Sequence, residues 1–143
     1  MDLRRAMLAL LLVIMVVLPL GAANAAPPVR LYYFHRDIRC VTCVALGDIT
    51  ALVAEVTFKK QIAAGELGFS VVNYQSKGNE HFVDDFDLEQ PSAVLAACRG
   101  DSVTEWRNLE HIWELSDKPK ELEAYLQGEI RAFLAAHGPG KRP

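Results

Sequence analysis

Val29-Arg30-Leu31-Tyr32-Tyr33-Phe34, followed after a short approach by Cys40-Val41-Thr42-Cys43, is the stretch whose reading decides the fold. The first six residues are mostly β-branched, aromatic or otherwise apolar, which predicts a strand; their near-continuous apolar character suits a central strand covered on both faces. Beyond the cysteines, Ile49, Leu52, Val53, Val56 and Ala63 recur at three- and four-residue spacing, predicting a helix with these residues on one buried face. Strand, short loop, Cys-x-x-Cys and helix is the arrangement of a thiol-disulfide redox centre.

Working outward, Gly65 and Gly68 bracket the end of that helix, and Phe69-Ser70-Val71-Val72-Asn73-Tyr74 reads as a second strand. Asn79 is a candidate cap for a short helix carrying His81, Phe82, Val83 and Phe86. Gln90-Pro91 stops it. Ser92 to Ala97 is an apolar third strand, and Arg99-Gly100-Asp101 supplies turn chemistry into a fourth, Ser102 to Arg107. Asn108 to Leu115 is a short helical segment. Pro119 suits the first turn of a helix running to about Ala136, with Leu122, Leu126, Ile130, Phe133 and Leu134 on one side. Residues 138–143, Gly138 to Pro143, are expected to be a disordered tail.

Before the strand, Arg4 and Arg5 precede an apolar run from Ala6 to Leu20 and then Gly21-Ala22-Ala23-Asn24-Ala25-Ala26. This is the pattern of a signal peptide over residues 1–25, cleaved after Ala25; retention as a membrane anchor is the alternative, disfavoured by the short apolar core and Pro19. The expected location is therefore periplasmic or otherwise extracytoplasmic. Cleavage leaves 118 of the 143 residues, enough for one domain over residues 26–137 and its tail. Removing Arg4, Arg5 and Asp2 from the 15 basic and 18 acidic residues leaves a balance of −4, with basic residues dispersed, which argues against a nucleic-acid partner. All three cysteines, Cys40, Cys43 and Cys98, remain, so in an oxidising space one is left over.

The predicted order β-α-β-α-β-β-α resembles the minimal thioredoxin fold, an α/β fold with a central mixed four-stranded sheet flanked by helices. That resemblance gives Pro91, just before the third strand, the place of the cis-proline loop that faces the redox cysteines, and so adds Pro91 to the expected catalytic residues. A further resemblance runs through Leu31-Tyr32-Tyr33-Phe34-His35, Arg39-Cys40-x-x-Cys43, Asn79-Glu80-His81-Phe82, Trp106-Arg107-Asn108-Leu109 and Trp113-Glu114-Leu115. Together these are similar to a small exported thioredoxin-like family, the nitrophenyl compound nitroreductase subunits of the ArsF type. The chain departs from that pattern in carrying Pro91. It departs from thioredoxin in having Arg39 in place of the tryptophan, Val41-Thr42 in place of Gly-Pro, and Phe34 in place of a buried aspartate.

The chemistry also follows from the residues themselves. A cysteine near a helix N-terminus meets unpaired backbone N–H groups and the positive end of the helix dipole, both favouring thiolate, and Arg39 and His35 are placed to add to this. Cys40 is thus the expected attacking thiol and Cys43 the resolving one, exchanging disulfides with a protein partner such as a membrane electron donor or a reductase subunit. A permanently oxidised structural disulfide is the blander alternative. Centres of this kind span roughly −270 to −120 mV, so reductant, oxidant and isomerase roles all stay open.

Two readings from other classes remain. A soft-metal carrier would hold copper through Cys40, Cys43 and His35; the chain has no second Cys-x-x-Cys and no histidine pair at helical spacing, so no resident metal is expected. A non-catalytic subunit of a larger reductase is the other, because no flavin, nicotinamide or phosphate-binding glycine motif is present and no cofactor is expected. Cys98, seven residues along the third strand from Pro91, falls ~20 Å away and is expected to be a buried free thiol. Asp84, Asp85, Asp87 and Glu89 read as a solvated face, and Trp106 and Trp113 as packing residues.

Overall fold

The computed structural model describes residues 26–141; the expected signal peptide and the last two residues lie outside the described residues. Four strands, β1 (Val29–His35), β2 (Leu67–Asn73), β3 (Ser92–Arg99) and β4 (Ser102–Asn108), form one sheet in the order β2-β1-β3-β4. β1 pairs parallel with β2, Val29 opposite Leu67 and His35 opposite Asn73, and antiparallel with β3, Phe34 opposite Ser92. β3 and β4 form a hairpin whose turn carries Gly100 at φ +63°, a conformation glycine adopts without a Cβ clash. The sheet is mixed, and β1 is central.

Helices α1 (Val41–Leu52), α2 (Lys59–Ala63), α3 (Phe82–Asp85) and α4 (Pro119–His137) flank it. Because side chains alternate along β1, Val29, Leu31 and Tyr33 point into one core with Leu46 and Val53 of the first helical arm and Leu122, Leu126, Ile130 and Phe133 of α4. Tyr32 and Phe34 point into a second core, aromatic in character, with Tyr74, Phe86, Leu88, Val94 and Ala96. Coverage on both faces is what the apolar run of β1 predicts. Pro119 does begin α4 in its first turn, where its missing N–H costs nothing.

The buried face of α1 differs from the expected one. Cys43, Leu46, Gly47 and Thr50 face inward, followed by Val53 and Ala54, while Leu52 and Val56 stand 49% and 65% exposed and Ala63 is exposed. Hydrophobicity does not choose a face here because α1 is apolar nearly all round. Close approach chooses it: Gly47 lets the helix settle on the Tyr33 ring, and Thr50 is tolerated inside because its hydroxyl donates to the Leu46 carbonyl at 2.7 Å. The arm is also not one regular helix. Residues Val53–Thr57 widen into a π turn, closed by Phe58 N–H on the Val53 carbonyl, before α2 resumes. Asn79 does not cap α3 with its side chain; its amide donates instead to the carbonyl of Asn73.

Candidate functional site

Cys40 is the N-cap residue of α1, held extended at φ −71° and ψ 162°. Its sulfur accepts the backbone N–H of Cys43 at 3.1 Å, the contact a serine or aspartate oxygen makes at an ordinary cap. Cys40 and Cys43 form a disulfide with their Cα atoms 5.0 Å apart. The two partners are unequal: Cys40 is exposed, Cys43 only 6% exposed. The sulfur accessible from solvent is therefore that of Cys40.

Beneath the bridge sits Tyr33, wholly buried, whose hydroxyl donates to the Cys43 carbonyl at 2.5 Å. Burial pushes its phenol up to about 12, with the nearby Arg39 cation pulling the other way, so Tyr33 is a neutral donor at ordinary pH. Arg39 lies against this ring. A Cβ placed on Gly47 would stand 2.7 Å from Tyr33 Cε1 and 2.8 Å from Arg39 Nη2, so the missing side chain at Gly47 is what admits both groups. Arg39 Nε is sealed from solvent without a hydrogen-bond partner. The guanidinium and the Tyr33 ring thus meet at Gly47, four residues or about one helical turn after Cys43 along α1.

The loop between β1 and Cys40 is tied down by groups the sequence did not single out. Asn73 donates to the Asp37 carboxylate at 2.6 Å, and Asp37 N–H donates to Gln75 Oε1 at 2.9 Å. Arg36 Nε donates to the Tyr74 hydroxyl at 2.5 Å while its Nη2 reaches the Glu89 carbonyl at 3.1 Å. Arg36 thus joins the approach to Cys40 with the segment that leads into Pro91. A cluster of polar residues just past two strand ends was the only sequence signal for this clasp. His35 is spent locally, its Nδ1 on the Arg36 carbonyl at 2.8 Å.

Pro91 lies at the same end of the sheet as the disulfide, since Ser92 pairs with Phe34. The isomer, which the sequence leaves open and the resemblance would make cis, is trans, as is every peptide bond among the described residues. Pro91 is buried, and its carbonyl accepts the Trp113 indole N–H at 2.8 Å, a contact that fixes the loop by other means. Cys98 is at the opposite end, half-buried and free, its N–H bonded to the Pro28 carbonyl. One surface hollow, about 550 Å³, adjoins Cys98, and another, about 440 Å³, lies beside Phe58 and Arg131; neither is lined by the disulfide. Among the described residues no three His, Cys, Asp or Glu side chains converge as a metal-binding set, and no helix is long and apolar enough to cross a membrane.

Fold and site together define an α/β protein with a Cys-x-x-Cys disulfide at a strand-to-helix junction. No protein-family model and no curated protein matches the chain.

Proposed function

We propose that this chain is an exported, thioredoxin-like thiol-disulfide oxidoreductase that exchanges disulfides with partner proteins through Cys40 and Cys43. The observation that carries the reading is the asymmetry of the disulfide: an exposed sulfur at a helix N-terminus joined to a buried one three residues on. In the oxidised form, a partner thiolate attacks Cys40 Sγ, a partner–Cys40 disulfide forms, and the Cys40–Cys43 bond breaks with Cys43 leaving as thiolate. A second partner thiolate then attacks its own mixed-disulfide sulfur and expels Cys40. The partner dithiol loses two electrons and two protons, and the protein gains both. The helix N-terminus stabilises the Cys40 thiolate so released. Run in reverse, the same steps reduce a partner disulfide.

The test is a Cys43→Ser variant together with a reduction potential for the unaltered chain. The variant is expected to hold partner proteins as stable disulfides through Cys40, and the potential to fall between roughly −270 and −120 mV. A potential below about −300 mV with nothing trapped would make the bridge a structural staple and overturn the proposal.

A further inference from the structure

The outward face of the cysteine-bearing helical arm is largely apolar, with one acid, Asp48, in its middle. Ile38 and Val41, on either side of Cys40, stand 89% and 88% exposed, and Val44, Leu52 and Val56 continue the exposed series. The steps from 41 to 44, 48, 52 and 56 are three, four, four and four residues, so these positions stay on one side of the arm and form a stripe. At 1.5 Å per residue it runs about 22 Å from Val41 to Val56. Two exposed acids, Asp48 within it and Glu55 beside it, lie along the stripe; the exposed Lys59 and Lys60 follow only beyond its far end, and Arg39 at the cysteine end is turned inward onto Tyr33 and Gly47.

We infer that this stripe is the docking surface for an apolar, basic helix of a partner protein, laid along α1 with its reacting cysteine at the Cys40 end. The backbone N–H and C=O groups of α1 are spent inside the helix, so a ligand binds it through side-chain packing; a second helix supplies ridges for that. Charge selects the partner. A lysine or arginine opposite Asp48 and Glu55 gains attraction where an acidic residue would be repelled. A second copy of this chain is a poor occupant for the same reason: two-fold antiparallel pairing about the middle of the stripe sets Asp48 against its own copy. The inference rests on the oxidoreductase reading for the cysteine of the partner, but the surface itself is testable without it.

Two helical peptides of about 18 residues, with identical apolar faces and either lysines or glutamates beside them, serve as probes. Their binding to the oxidised full chain is read by fluorescence anisotropy. With a cysteine added as a thionitrobenzoate mixed disulfide, attack by reduced Cys40 forms a Cys40–peptide disulfide and expels the coloured thiolate, whose release gives the exchange rate. The lysine peptide is expected to bind and react at least roughly tenfold better than the glutamate peptide. A Leu52→Ser/Val56→Ser double variant, altered only at exposed positions far from the sulfur, is expected to lose about tenfold on both counts while reacting unchanged with a small aromatic disulfide; tenfold corresponds to about 1.4 kcal/mol. Equal behaviour of the two peptides, or of variant and parent, overturns the inference, as does a dimer of the full chain that the double variant dissociates. Selective binding with no exchange at all upholds the surface and overturns the redox reading; exchange on the small disulfide without peptide preference does the reverse.

Discussion

The two ends of the sheet each carry cysteine beside arginine, and they behave as different chemistry. At one end Cys40 caps α1, exposed, with Cys43 three residues on and Arg39 folded below. At the other, Cys98 ends β3 half-buried, with Arg30 near enough to pull its thiol down but burial pushing it up more strongly. A cation is present in both places. What differs is the helix N-terminus and the second sulfur, so under the proposed function local backbone geometry, more than the company of a positive charge, is what separates an exchanging thiol from an inert one.

The largest expected effect breaks that comparison if it fails. Cys40→Ser is expected to reduce disulfide exchange to the uncatalysed rate, while Cys98→Ser keeps the rate within about twofold, as measured by reduction of a small aromatic disulfide. Loss of exchange in both variants would make the two ends equivalent.

Next in size is a pair of glycine substitutions, one at each end. Gly47→Ala gains about 1 kcal/mol of helix propensity but drives a methyl into the Tyr33 ring, an overpacking of about 1–3 kcal/mol, so a net loss of about 1 kcal/mol is expected in urea unfolding. Gly100→Ala meets no neighbour within 4 Å, yet its φ of +63° costs about 1–2 kcal/mol. Stability falls alike. Exchange does not: only Gly47→Ala displaces Tyr33 and Arg39 from beneath Cys43, so only it is expected to alter the exchange rate. A smaller change, Arg36→Ala, removes two hydrogen bonds and is expected to cost about 1 kcal/mol, measurable by thermal melting.

How much of this was legible beforehand follows from what each feature depends on. The four strands, their order along the chain, the Cys-x-x-Cys at the junction and the long C-terminal helix rest on period and turn chemistry, which sequence carries directly. The inward face of α1 rests on a single close approach at Gly47, which an apolar count over Leu52 and Val56 cannot see. The Arg36–Tyr74 and Asp37–Asn73 bonds join residues more than 35 positions apart, and nothing local marks them. Pro91 shows the limit of resemblance: its position at the cysteine end was foreseeable from strand order, while the isomer of its bond, left open by the sequence, is the ordinary trans form and not the cis form of the resembling fold.

The smallest expected effect sharpens the contrast from the inert end. Burial raises the Cys98 thiol above its ordinary 9.0, opposed in part by Arg30. Since the folded value lies above the unfolded one, the neutral thiol's contribution to stability is complete below about 9 and is lost as pH rises through the folded value, where the unfolded chain has already released its proton. Cys98→Ser removes that dependence. Urea midpoints of parent and variant are therefore expected to differ by a constant amount up to about pH 8 and to converge in the parent's disfavour above about 9. In reduced protein at neutral pH, Cys98 is also expected to alkylate more slowly than Cys40, because reaction goes through the thiolate. A flat difference across the alkaline range, or alkylation of Cys98 as fast as Cys40, would place a reactive thiol at both ends and remove the reason for assigning exchange to one.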